Sequence, residues 1–137
     1  MLEMVVAAKA VADTTRVRIL NLLLHKECCV CEVMYAIKIS QPRASRSLKA
    51  LFDAGFLNMR EQGPYTLYSL KTSRKPRVHS SIIDGVKLQA VKNPVFNKDL
   101  ERLKSAPRYN CNTIVKGHFK KLPETPTLED AGHGCCC

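Results

Sequence analysis

At 137 residues the chain has room for one domain and a tail but not for two full domains. Its 45% hydrophobic and 25% charged residues are an ordinary globular composition, and no apolar run approaches the roughly 20 residues of a membrane span, so the sequence predicts a soluble protein. The formal charge is +10, and it is concentrated: nine basic residues between Lys38 and Arg77 face only Asp53 and Glu61. A positive surface of that density attracts a polyanion, of which nucleic acid is the commonest.

Met1 to Ala12 lacks the basic start, long apolar stretch and cleavage site of a secretory signal, so the expected location is cytoplasmic. Seven cysteines are then read as reduced thiols. Their odd number, and their grouping as Cys28, Cys29 and Cys31, then Cys111, then Cys135 to Cys137, suits metal or redox chemistry better than a disulfide framework.

In chain order, Leu2 to Val11 reads as a short apolar helix. Asp13 or Thr14 caps a second helix, with Val17, Leu20 and Leu24 on its buried face and Ile19 and Leu23 widening it. A third helix is expected from about Cys29 to Ala36. Ser40 then caps a fourth, with Pro42 in its first turn, Leu48, Leu51 and Phe52 facing inward, and Gly55 at its end. Phe56 to Arg60 and Tyr65 to Leu70 form a hairpin around Glu61 to Pro64. A basic linker from Lys71 to Arg77 leads to helices at about Val78–Val91 and Asn97–Leu103. The expected organisation is a folded region over 1–105 and a flexible, cysteine-containing tail over 106–137.

Two short helices joined by Ile37, Lys38 and Ile39, followed directly by a hairpin, constitute a helix-turn-helix with a wing, a mainly α fold carrying one β-hairpin. The second helix of the pair opens with Gln41, Arg43, Ser45 and Arg46, and the first turns of a recognition helix are what reach base edges in a major groove. Glutamine can pair with adenine and arginine with guanine, whereas Lys49 is placed for phosphate; Ser40 at the helix cap and Arg60 flanking the wing complete the candidate DNA-binding residues. No nucleophile–base pair or glycine-rich phosphate loop occurs at usable spacing, which argues against an enzyme.

The runs Asp13-Thr14-Thr15-Arg16-Val17-Arg18-Ile19-Leu20, Cys29-Val30-Cys31-Glu32-Val33, Ser40-Gln41-Pro42-Arg43-Ala44-Ser45-Arg46-Ser47-Leu48 and Gly63-Pro64-Tyr65-Thr66-Leu67-Tyr68 together resemble the ArsR/SmtB family of metalloregulatory repressors. The Cys-Val-Cys box looks most like its arsenic-sensing members. The resemblance covers roughly residues 5 to 90. It implies a homodimer on double-stranded operator DNA that needs no cofactor to bind and is released when arsenite or antimonite is taken by thiolates.

The residues allow that chemistry, since thiolates are soft ligands for arsenite, antimonite, Cd(II), Pb(II) or Zn(II). Cys29 and Cys31 are the expected ligands. The resemblance implies a third cysteine three residues further on, where this chain has Met34. The third ligand is therefore Cys28, Cys111, a tail cysteine or none, and a two-thiol site would favour organic trivalent arsenic. A Cd(II)/Pb(II)-responsive repressor is the alternative, although such relatives recruit N-terminal cysteines and Met1 to Lys26 has none. A redox switch at Cys28 and Cys31 is another, although redox pairs of that spacing favour a βαβ context. Cys135 to Cys137 are read as incidental thiols, and the helix over Val78–Val91 lacks the paired Asp/His ligands of zinc-sensing relatives.

Overall fold

The computed structural model describes residues 2–72 and 76–106. Six helices and one hairpin follow the expected order: α1 (Leu2–Ala10), α2 (Thr14–His25), α3 (Val30–Ile37), α4 (Gln41–Asp53), β1 (Leu57–Gln62), β2 (Tyr65–Leu70), α5 (Arg77–Ala90) and α6 (Pro94–Ser105). Among the described residues no helix is long and apolar enough to cross a membrane. The expected tail lies, past Ala106, outside the described residues, as do Cys111 and Cys135 to Cys137.

The helix starts are chemically specified. Asp13 Oδ1 accepts from the Thr15 amide at 2.7 Å, Ser40 Oγ from that of Arg43, and Asn93 Oδ1 from that of Val95 at 2.9 Å. Each such cap is worth about 1 kcal/mol. The Asn93 cap followed by Pro94 starts α6 three residues before the expected Asn97, because proline is well tolerated where the helix has no amide to satisfy.

A single-faced α2 does not describe what forms. Ile19, Leu20, Asn21, Leu22 and Leu23 are all buried, while Val17 and Leu24 are only partly covered. The reason is that α2 runs through the middle of the molecule, packed by α3, α4, α5, α6 and β2. Around it Val33, Leu48, Leu51 and Leu67 complete the core. Phe52, expected inside, is 38% exposed: it lies one residue past Leu51, beyond the edge of the buried stripe.

Only Lys38, Ile39 and Ser40 separate α3 from α4. Lys38 takes a left-handed conformation (φ 61°), and the amides of Lys38 and Ile39 both donate to the Met34 carbonyl, at 2.9 and 3.3 Å. That conformation ends α3 and turns the chain into α4. The hairpin pairs Leu57 with Leu70 through to Gln62 with Tyr65, so the turn is the two residues Gly63 and Pro64, shorter than the expected four. Gly63 supplies the positive φ (58°) that so tight a turn needs at its first position.

Candidate nucleic-acid interface and thiol segment

The N-terminal half of α4 carries the residues expected to read DNA, each in a different state. Arg46 is exposed and makes no hydrogen bond or ion pair with another described residue, so its guanidinium is available to a partner. The Arg43 guanidinium instead donates to Thr15 Oγ1 at 2.8 Å, bracing α4 on the start of α2. Gln41 is largely buried and its Nε2 donates to Ser45 Oγ at 3.0 Å, one turn along. Ser40 is the helix cap. Lys49 lies on the surface beside Asp53 at 3.2 Å, an exposed pair that contributes little to stability.

Arg60 sits on β1 and makes two parallel bonds to the Glu27 carboxylate, both 2.8 Å. These bonds raise its pKa above the ordinary arginine value. A groove of about 510 Å³ lies between α4 and the hairpin, lined by Val30, Ser45, Phe52, Met59, Thr66 and Tyr68 among others. Phe52 and Met59 remain exposed at its edge.

Cys28 and Cys29 lie between α2 and α3, and Cys31 lies in the first turn of α3. Cys28 and Cys29 are fully buried and Cys31 is 5% exposed. Cys28 forms a bridge with the hairpin: its amide donates to the Tyr68 carbonyl at 3.0 Å and its carbonyl accepts from the Tyr68 amide at 2.8 Å. Burial pushes the pKa of the Tyr68 hydroxyl above the ordinary tyrosine value. Cys29, expected as the first helical residue, is the N-cap of α3 on extended backbone (φ −86°, ψ 169°), and Cys31 lies in the first turn.

Cys29 and Glu32 form a capping box in which the Cys29 amide donates to Glu32 Oε1 at 3.2 Å. The other oxygen of this fully buried carboxylate accepts from Lys26 Nζ. Among the described residues no group of three or more His, Cys, Asp or Glu side chains is arranged to hold a metal ion. Thiols are donors suited to a soft ion, but a three-donor set is not preassembled among the described residues.

Glu27, Glu32 and Tyr68 were not evident as partners of this segment. A capping glutamate three residues after Cys29 was the legible signal for Glu32. The Cys28–Tyr68 bridge spans forty positions and leaves none. Among the histidines, His79 is buried at the start of α5, donates through Nε2 to the Ala54 carbonyl at 2.6 Å and stacks at a tilt on Phe56, whereas His25 is exposed on α2.

Residues 13–59 match the model of a family described as bacterial regulatory protein, arsR family. The chain is 43% identical over 63 residues to the arsenic resistance transcriptional regulator ArsR1 of Pseudomonas putida, covering 45% of this chain and 49% of that protein. It is 40% identical over 83 residues to ArsR2 of the same organism, covering 60% and 70% respectively. A cadmium resistance transcriptional regulatory protein CadC homolog of Staphylococcus aureus is 41% identical over 63 residues, covering 45% and 52%. The chain thus spans about half the length of two of these curated relatives and 70% of the other.

Proposed function

The chain belongs to the ArsR family of bacterial regulatory proteins, and on that premise we propose that it is a homodimeric repressor of an arsenic-resistance operon, released from its operator by trivalent arsenic or antimony. The family is one of regulators rather than enzymes. In this reading α4 enters the major groove. Arg46 reads base edges with Gln41, Ser45 and Arg43, Lys49 and Ser40 meet phosphate, and Arg60 approaches the duplex from the wing. DNA binding itself takes no cofactor, and the repressor works in the cytoplasm.

The observation that carries the proposal is the place of the thiols. Cys29 caps one end of an eight-residue helix whose other end is three residues from α4, and Cys28 is hydrogen-bonded to the wing. When arsenite is taken up, each thiol that forms an As–S bond gives its proton to a departing hydroxide, which leaves as water. Drawing Cys29 and Cys31 to one arsenic pulls Cys29 out of its capping box, and recruiting Cys28 as third ligand breaks its bridge to Tyr68. Both reading elements are then disturbed together. A switch of this kind requires only that the ligand prefer the opened state, by typically 1–3 kcal/mol.

Dimer formation is supported by apolar surface on two neighbouring helices. Leu2, Met4, Val5 and Val6 of α1 are exposed, as are Leu88 of α5 and Val91 beside it, and α1 packs on α5. Covering these faces with a second copy would present two recognition helices to successive major grooves, about 34–36 Å apart.

The resemblance to a cadmium regulator supports a second reading with Cd(II) as the inducer. Both are tested by fluorescence anisotropy of labelled operator DNA while arsenite, cadmium and peroxide are added separately. Release by arsenite at the lowest concentration is the expected result. Release by cadmium alone supports the second reading, and release by peroxide alone replaces both with a redox switch.

A further inference from the structure

The C-terminal end of α3 is held by a cluster of charges. Asp99 of α6 is fully buried and accepts from Arg18 of α2 through both oxygens, at 2.8 Å from Nε and 2.7 Å from Nη2, and from Arg102 Nη2 at 2.6 Å. Each arginine also reaches the last turn of α3: Arg102 Nε donates to the Ala36 carbonyl at 2.6 Å and Arg18 Nη2 to that of Ile37 at 3.3 Å. Two cations for one carboxylate leave an excess positive charge. It lies against the carbonyl end of a helix, where the backbone dipoles present a partial negative charge and the last carbonyls have no partner within the helix. Ala36 and Ile37 thus give each arginine a second acceptor at the end of α3.

We propose that Asp99, Arg18 and Arg102 are positioning residues for operator reading, locking α6 onto the end of α3 so that the three-residue turn delivers α4 in its DNA-reading orientation. The proposal rests on the repressor function proposed above. Its physical basis is that charge-assisted bonds to a buried carboxylate are shorter and stronger than neutral ones, and that these join segments 81 and 66 residues apart in sequence to the turn. The thiols act on the first turn of α3 and this cluster on its last, about 12 Å away along an eight-residue helix. An ion drawn to the thiols must move α3 against this anchor, so the anchor sets how much inducer is needed. Loosening it favours the released conformation, which weakens operator binding and strengthens the response to arsenite, two effects linked through one equilibrium.

The test uses the full chain with Asp99→Asn, Arg102→Gln and Arg102→Lys, measuring operator affinity, the arsenite midpoint for release and the thermal midpoint. Asp99→Asn and Arg102→Gln are expected to lower operator affinity by about ten-fold and to shift the arsenite midpoint to lower concentration. Arg102→Lys keeps the charge but not the fork, and is expected to lie between Arg102→Gln and the wild type. Arg102 is partly exposed, so its variants carry the test if Asp99→Asn does not fold. A lower thermal midpoint with wild-type operator affinity and arsenite midpoint would overturn the proposal and leave a purely structural cluster. If the wild type itself neither binds nor releases DNA, the repressor reading fails and takes this inference with it. Wild-type behaviour of the variants beside a responsive wild type removes this inference alone.

Discussion

The two ends of α3 are built in opposite ways. At its start, three buried thiols, a bridge of two backbone hydrogen bonds to Tyr68, a capping box and the Lys26–Glu32 ion pair hold the chain. At its end, two arginines share one buried carboxylate and also satisfy the terminal carbonyls. The neutral bonds to Tyr68 contribute about 1 kcal/mol each and Glu32 has Lys26 as a partner besides the Cys29 amide, so a soft ion binding thiolates can outweigh their loss, whereas uncompensated loss of a buried charge partner costs several times more. One end of the same short helix can therefore be opened by chemistry while the other resists the movement. That difference is what a sensing element joined to a reading element requires.

The largest effect should come from breaking the fixed end outright. Asp99→Ala removes the shared acceptor and leaves Arg18 and Arg102 facing each other, which should cost about 3–5 kcal/mol in chemical denaturation. In the wild type the bond to Asp99 raises the pKa of Arg18 above its ordinary value. Next is the reading surface. Arg46→Ala should weaken operator binding by about 1–3 kcal/mol and relax preference at one base position, measured by competition with operator variants. Arg43→Ala should also weaken it, through the lost brace to Thr15 as well as any base contact.

A smaller effect is expected at Lys49, which meets phosphate in this account. Lys49→Ala should leave sequence preference unchanged while reducing the slope of log affinity against log salt by about one. The smallest concerns the turn between the two ends. Because Lys38 is held at φ 61°, Lys38→Gly should stabilise the fold by about 1 kcal/mol in thermal unfolding, sharpening the join between α3 and α4.

The features that repeat locally were legible in the sequence. Asp13 and Ser40 announced the starts of α2 and α4, and two strand-forming runs around the turn residues Gly63 and Pro64 announced the hairpin, because caps and tight turns depend on neighbours within a few positions. The cysteines were legible as a group. Their burial was not, nor was the position of Cys29 at the cap, since both depend on Tyr68 and Glu32 closing over the segment. Phe52 was assigned to the core because periodicity marks a helix face but not where that face runs out. Asp99 was passed over, as a charged residue on an amphipathic helix ordinarily faces water and its main partner, Arg18, lies 81 residues away. Arg43 shows the same limit at the reading surface: its type was visible, and its engagement with Thr15 was not.

We propose Cys29 and Cys31 as the residues that release the operator by binding trivalent arsenic, and this role is open to direct measurement. It is tested most directly by fluorescence anisotropy of labelled operator against arsenite for the wild type, Cys29→Ser and Cys31→Ser, with Cys28→Ser alongside. Serine is close to cysteine in shape, is itself a good helix cap at position 29 and removes the soft ligand, so the variants should bind operator with nearly wild-type affinity. Cys29→Ser and Cys31→Ser should stay on the DNA at arsenite concentrations that free the wild type, and Cys28→Ser should be released only partly. Wild-type release by either Cys29→Ser or Cys31→Ser would contradict that role.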